Sequence, residues 1–131
     1  MKRKHMLPGA VVAVAISLSA PAFAAANDYV FEPLSAQINK GEDVILSVRL
    51  KHKPSGKAVI DAVIVRTRID MAPDGMAEMA APIATVPSPE PGVYSFKAEV
   101  SMEGRWLLSI AAKVQGEPET VFGKITFQAS E

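Results

Sequence analysis

The chain has 131 residues, with 14 basic and 14 acidic side chains, two histidines and no cysteine. That inventory excludes disulfides, thiolate metal sites and cysteine nucleophiles, and it leaves too few imidazoles for a His-cluster metal centre. The length supports a single domain with one modest core.

Lys2, Arg3, Lys4 and His5 form a basic start, Met6 to Ala20 is apolar apart from Ser17 and Ser19, and Ala22-Phe23-Ala24 has the small-x-small form of a cleavage site. The apolar run is shorter than the ~20 residues needed to cross a bilayer. The pattern predicts a signal peptide over residues 1–24, cleaved after Ala24 or, with a small shift, after Ala26. Residues 25–131 are then a soluble periplasmic domain with no stable membrane insertion. Losing Lys2, Arg3 and Lys4 leaves 11 basic against 14 acidic residues, a net charge of −3. Nucleic-acid binding is not expected of such a chain.

The mature part is written in short alternating runs separated by turn residues. Tyr29 to Ile38 is an extended segment interrupted by Pro33, and Asn39-Lys40-Gly41-Glu42 is a turn. Val44, Leu46, Val48 and Leu50 alternate with polar residues as in a half-buried strand. After the turn Pro54-Ser55-Gly56-Lys57, a third strand places Val63, Val65, Thr67 and Ile69 inward, with Arg66 and Arg68 on a solvated face. Residues 71–81 read as a loop opened by Pro73-Asp74-Gly75, and a short strand follows over Pro82 to Val86. A Pro-rich connection leads to a strand lined by Tyr94, Phe96, Ala98 and Val100. Glu103-Gly104 turns the chain into a strand lined by Trp106, Leu108, Ile110, Ala112 and Val114. Val121, Ile125 and Phe127 complete a seventh. Seven short strands in about a hundred residues match an all-β, immunoglobulin-like sandwich of antiparallel strands. Trp106, with Tyr94 and Phe96, is the expected core centre.

The mature chain has only four methionines, Met71, Met76, Met79 and Met102, and three of them fall within nine residues. A thioether is a soft, neutral ligand, and in an oxidising compartment without thiols it suits Cu(I) or Ag(I). A single helical turn would aim Met76 and Met79 the same way, and the Pro-Asp-Gly turn would fold Met71 back toward them. If the strands alternate in direction, Met71 and Met102 emerge at one end of the sandwich and His52 at the other, so His52 is left out of the site. The alternative is packing: Met71 and Met102 each continue the inward parity of a strand, and methionine commonly fills the rim of a core. Asp70, Asp74 and Glu78 lack the donor spacing of a calcium loop and are expected to solvate this segment. No nucleophile–base pair occurs at a workable spacing, so catalysis is not expected.

Ile69-Asp70-Met71-Ala72-Pro73-Asp74-Gly75-Met76, then Pro91-Gly92-Val93-Tyr94, Ser101-Met102-Glu103-Gly104-Arg105-Trp106, and Ala111 through Thr120 carry a resemblance. Together they resemble a YtkA-like (FixH-like) domain over roughly residues 29 to 128. The resemblance implies a small exported or membrane-tethered β-sandwich associated with cation handling, in heavy-metal efflux or in metal delivery during oxidase assembly. The four methionines fit that setting as metal ligands. FixH proteins proper are membrane-anchored, whereas this chain carries a cleavable-looking signal, which favours a free periplasmic protein. The expected function is to hold Cu(I) or Ag(I) and pass it to an efflux or oxidase-assembly partner. The alternative is a metal-free module that docks such a membrane complex through its adaptable methionine surface.

Overall fold

The computed structural model describes residues 26–131, so residues 1–24, expected to be a signal peptide, lie outside the described residues. In chain order the strands are β1 (Tyr29–Pro33), β2 (Gln37–Asn39), β3 (Gly41–His52), β4 (Lys57–Ala58) and β5 (Val63–Met71). A 3-10 turn (Ala72–Asp74) leads to β6 (Met76–Ala81), β7 (Ile83–Val86), β8 (Val93–Val100), β9 (Gly104–Lys113) and β10 (Val121–Ser130). One sheet runs β1-β3-β8-β7 with β4 against the end of β3, and the other runs β2-β10-β9-β5-β6. The result is an all-β, immunoglobulin-like sandwich.

Two pairs of these strands are single stretches of chain that change sheet. Leu34 N–H still donates to Ser47 of β3, but by Ala36 the chain accepts from Gln128 of β10, and β2 then runs parallel to β10. On the other side β6 pairs with β5 and β7 with β8, with only Pro82 between them. Pro33 and Pro82 stand at these crossings, where a residue without an N–H leaves no ladder donor unmet. Each crossing closes one side of the sandwich with a short, broken edge strand, a poor template for pairing with another chain. Counted as continuous stretches, and setting aside the two-residue β4, there are seven strands among the described residues.

Alternation supplies the core. Leu46, Val48 and Leu50 of β3, Phe96, Ala98 and Val100 of β8, Trp106 and Leu108 of β9, and Phe127 of β10 are all buried. Each large side chain so placed contributes ~1.5–3 kcal/mol of burial. Tyr94, expected at the core centre, is only half-buried. Its hydroxyl donates to the Val59 carbonyl at 2.7 Å and accepts from Ala62 N–H at 3.0 Å, so it ties down the segment before β5. The expected parity of the third strand also breaks. Register against β9 slips between Ile64 and Arg66, leaving Val65 in a bulge. Thr67, Ile69 and Met71 keep the inward phase, whereas Val63 and Val65 are exposed.

Candidate functional site

The segment read as a loop is a β-hairpin. β5 runs through Met71, the 3-10 turn follows, and Gly75 at φ 76° reverses the chain into β6. A positive φ at this position favours glycine, which carries no Cβ to clash. No helical turn joins Met76 to Met79. Instead Met71 and Met76 are register partners across the hairpin, and the next partners are Asp70 with Ala80. Ala77, Glu78 and Met79 therefore have no partner on β5, and Arg68 Nη2 holds this bulge by donating to the Ala77 carbonyl at 2.8 Å. The sequence MAEMAA has neither alternation nor β-branched residues, so its strand character comes from pairing alone.

Met71 is fully buried in the core, and Met76 is half-buried and packed against it. Met79 and Met102 are 39% and 37% exposed. Met102 lies in the short connection between β8 and β9, and its carbonyl accepts from the Trp106 indole N–H at 3.0 Å. Since Asp70 of β5 pairs with Leu107 of β9, the end of β5 sits beside the start of β9. Met71, Met76 and the Met102 loop thus share one end of the sandwich, with Met79 three residues along the hairpin arm. His52 closes β3 beside Tyr29, at the opposite end, with its Nδ1 2.8 Å from Ser55 Oγ.

Carboxylates hold this end together rather than merely solvating it. Asp70 is buried on the outer face of β5; its Oδ2 accepts from Arg68 Nε at 2.8 Å and its Oδ1 from Ala72 N–H at 2.8 Å, fixing the start of the 3-10 turn. Asp74 Oδ2 accepts from Arg105 N–H at 2.8 Å and Oδ1 from the Arg105 guanidinium at 2.7 Å. The backbone N–H first, then the guanidinium, hold its carboxyl below the ordinary value. Arg105 also donates to the Pro73 carbonyl at 2.6 Å, so the hairpin tip is clamped to β9. Gly104, at φ 137°, sits against both parts: a Cβ there would lie 2.5 Å from the Met71 methyl and 2.6 Å from Asp74 Oδ2. The sequence carries no local signal for this clamp, because its partners are 31 residues apart. Among the described residues, no group of three or more His, Cys, Asp or Glu side chains could hold a metal ion, so a metal at this end would rest on thioethers. No helix among them is long and apolar enough to cross a membrane.

Fold and site together define a small all-β sandwich domain with a clamped, methionine-bearing end. The YtkA-like family matches residues 23–111, and the chain belongs to that family. No curated protein matches it. Among solved structures, the filamin domain of Lin-41 is similar at 17% identity and a TM-score of 0.45, covering 79% of this chain and 92% of that one. The C-terminal domain of ZirS is similar at 12% identity and a TM-score of 0.44, covering 100% of this chain and 86% of that one.

Proposed function

We propose that this is an exported, periplasmic accessory domain that captures Cu(I) or Ag(I) through methionine thioethers and passes it to an efflux or oxidase-assembly partner. No reaction is assigned to it; the work is capture and exchange. The observation that supports this reading is the gathering of methionines at one clamped end. Met76 faces buried Met71 across the hairpin, and Met102 stands on the neighbouring loop with its side chain open to solvent. The donor chemistry fits a soft monovalent cation, since thioethers bind Cu(I) well and hard divalent ions poorly. Met71 serves chiefly as packing behind the site, and Met76, Met79 and Met102 are the reachable donors. Graded exposure of this kind suits a carrier that must release its cargo.

The test is Cu(I) titration of the mature domain under reducing conditions against a competing chelator. Wild type is compared with Met76→Leu/Met79→Leu and with Met102→Leu. One equivalent held by wild type and lost from the double variant is the expected result. Equal affinity in wild type and both variants would end the proposal. A metal-free docking role is supported by a separate feature, the outer face of the β5-β9-β10 sheet.

A further inference from the structure

That outer face is laid out by register in rows across β5, β9 and β10. Arg66, Ala111 and Phe122 form one row and Arg68, Ser109 and Lys124 the next, with Val63 beside Lys113 below them. The middle strand carries small residues where the outer two carry long ones. The face is therefore a shallow trough floored by Ala111 and Ser109. Its walls stand two strand spacings apart, ~9.5 Å, about the width of one extended chain.

The trough is both basic and apolar. Arg68 is matched by Asp70 and Arg105 by Asp74, but the side chains of Arg66, Lys113 and Lys124 form no ion pair among the described residues. These three free cations sit on one face of a domain that otherwise carries more acid than base. Of the nearby acidic side chains, Asp70 is taken by Arg68 and Glu117 accepts from the Tyr29 hydroxyl, whereas Glu119 before β10 and Glu78 on β6 pair with no cation among the described residues. In the middle of the charge Phe122 is 71% exposed, and Val63 beside Lys113 is 61% exposed. Exposed aromatics beside unpaired cations mark interaction surfaces more than ordinary solvated faces.

We propose that this trough binds an extended, acidic segment of a partner protein, with carboxylates at alternate positions and an apolar residue between them. A chain lying along β9 with its pleat parallel to the floor points alternate side chains at opposite walls. Arg66 and Arg68, two residues apart, are spaced ~6.6 Å along β5, the same repeat as alternate residues of an extended ligand. One carboxylate then meets the free Arg66 and the next, at i+2, the Nη1 edge of Arg68 that Asp70 and the Ala77 carbonyl leave open, while the residue between them covers Phe122. Charge complementarity selects the acidic partner and supplies orientation and capture rate. An anionic membrane is disfavoured by number, since lipid surfaces are met by clusters of about four to eight basic residues. The proposal does not depend on any metal at the methionine end.

The experiment is an NMR titration of the isotope-labelled protein with the capped peptide Thr-Glu-Leu-Glu-Leu-Thr and with its Glu→Gln counterpart. The expected result is saturable shifts confined to the amides of Arg66, Ser109 to Ala111 and Phe122 to Lys124. The Gln peptide, and the variants Arg66→Glu and Lys124→Glu, should each weaken binding by about ten-fold or more, with the spectrum elsewhere unchanged. Met76→Leu/Met79→Leu should bind the peptide as wild type does, which separates this outcome from failure of the metal reading. No saturable shift at millimolar peptide would overturn the proposal, as would equal binding of the Gln peptide. Sedimentation with phosphatidylglycerol vesicles that is lost in Arg66→Glu, without any peptide binding, would overturn it in favour of a lipid surface.

Discussion

Gly104→Ala tests whether the methionine end is as tightly fitted as its contacts state. Two penalties combine. At φ 137° the backbone is in a region that side-chain-bearing residues rarely adopt, which costs ~1–3 kcal/mol. The added Cβ would also lie 2.5 Å from the Met71 methyl and 2.6 Å from Asp74 Oδ2. Met71 is fully buried, so its methyl has nowhere to retreat without disturbing the core, and overpacking of this kind costs ~1–3 kcal/mol. The sum, ~2–6 kcal/mol, is a large part of the ~5–15 kcal/mol that holds a domain of this size together. Urea unfolding read by the fluorescence of Trp106, the single and buried tryptophan, measures the change directly. A cycle with Met71→Ala then separates the two penalties. Removing the methyl relieves the Met71 collision but leaves the Asp74 contact and the backbone strain, so Gly104→Ala should cost ~1–3 kcal/mol less in that background. A Gly104→Ala variant within ~0.5 kcal/mol of wild type, or strictly additive effects in the cycle, would refute the contact on which the argument rests.

Tyr29 donates to Glu117 Oε2 at 2.7 Å, and burial first, then that bond, pushes its phenol from 10.0 up to about 12. Because the folded value is raised, this contribution to stability is complete below pH 10.0 and is lost as pH climbs through about 12. Glu117→Gln should lower the Tyr29 value without returning it to normal, since burial remains; phenolate absorbance in a Tyr94→Phe background reads this. Gly123→Ala should destabilise by ~1–3 kcal/mol, because the Phe31 ring of the facing sheet lies where the new Cβ would go, with its Cε2 at 2.9 Å. Thermal unfolding checks it, and relief by Phe31→Leu in the same chain is the expected signature of that contact.

Alternation made five strands readable, those over Val44–Leu50, Val63–Asp70, Tyr94–Val100, Trp106–Val114 and Val121–Phe127, because one face of each is committed to the core. What could not be read is where pairing overrides local pattern. The Val65 bulge reverses which residues face inward, and nothing in Val-Ile-Val-Arg-Thr announces it. β6 is a strand because β5 lies beside it. The sheet changes at Pro33 and Pro82 need knowledge of which strands are neighbours. At the site, four methionines could be named from composition, but their depths could not. Met71 takes its burial from the parity of β5, Met102 its exposure from the turn before Gly104, and the clamp between Asp74 and Arg105 from a contact across 31 residues. Phe122 shows the same limit, since it alternates outward on β10 and its prominence depends on the small Ala111 beside it.

The clamp has a consequence for how the methionine end should respond to acid. Metal sites of cysteine, histidine or carboxylate must lose protons to bind, and so weaken as pH falls. A thioether has no proton to lose, so Cu(I) affinity here should stay flat from neutral pH down to about pH 5, across the range where a free imidazole titrates. The scaffold imposes the lower limit. Asp74 is held below its ordinary 3.8, chiefly by the Arg105 N–H and then by the guanidinium. A depressed carboxyl contributes its stability above the unfolded value and loses it as pH falls through the lower folded one. The hairpin clamp should therefore persist to below pH 3.8, and affinity should break only there. Cu(I) competition measured at stepped pH distinguishes the cases. A flat profile that breaks with the loss of the clamp is the expected behaviour, and Asp74→Asn, which has no carboxyl to protonate, should lower affinity at every pH and lack that break. A smooth decline between neutral pH and about pH 5 would instead assign a ligand to an imidazole, and His52 is the one histidine among the described residues. Because His52 lies at the far end of the sandwich, that result would remove the metal from the methionine end altogether.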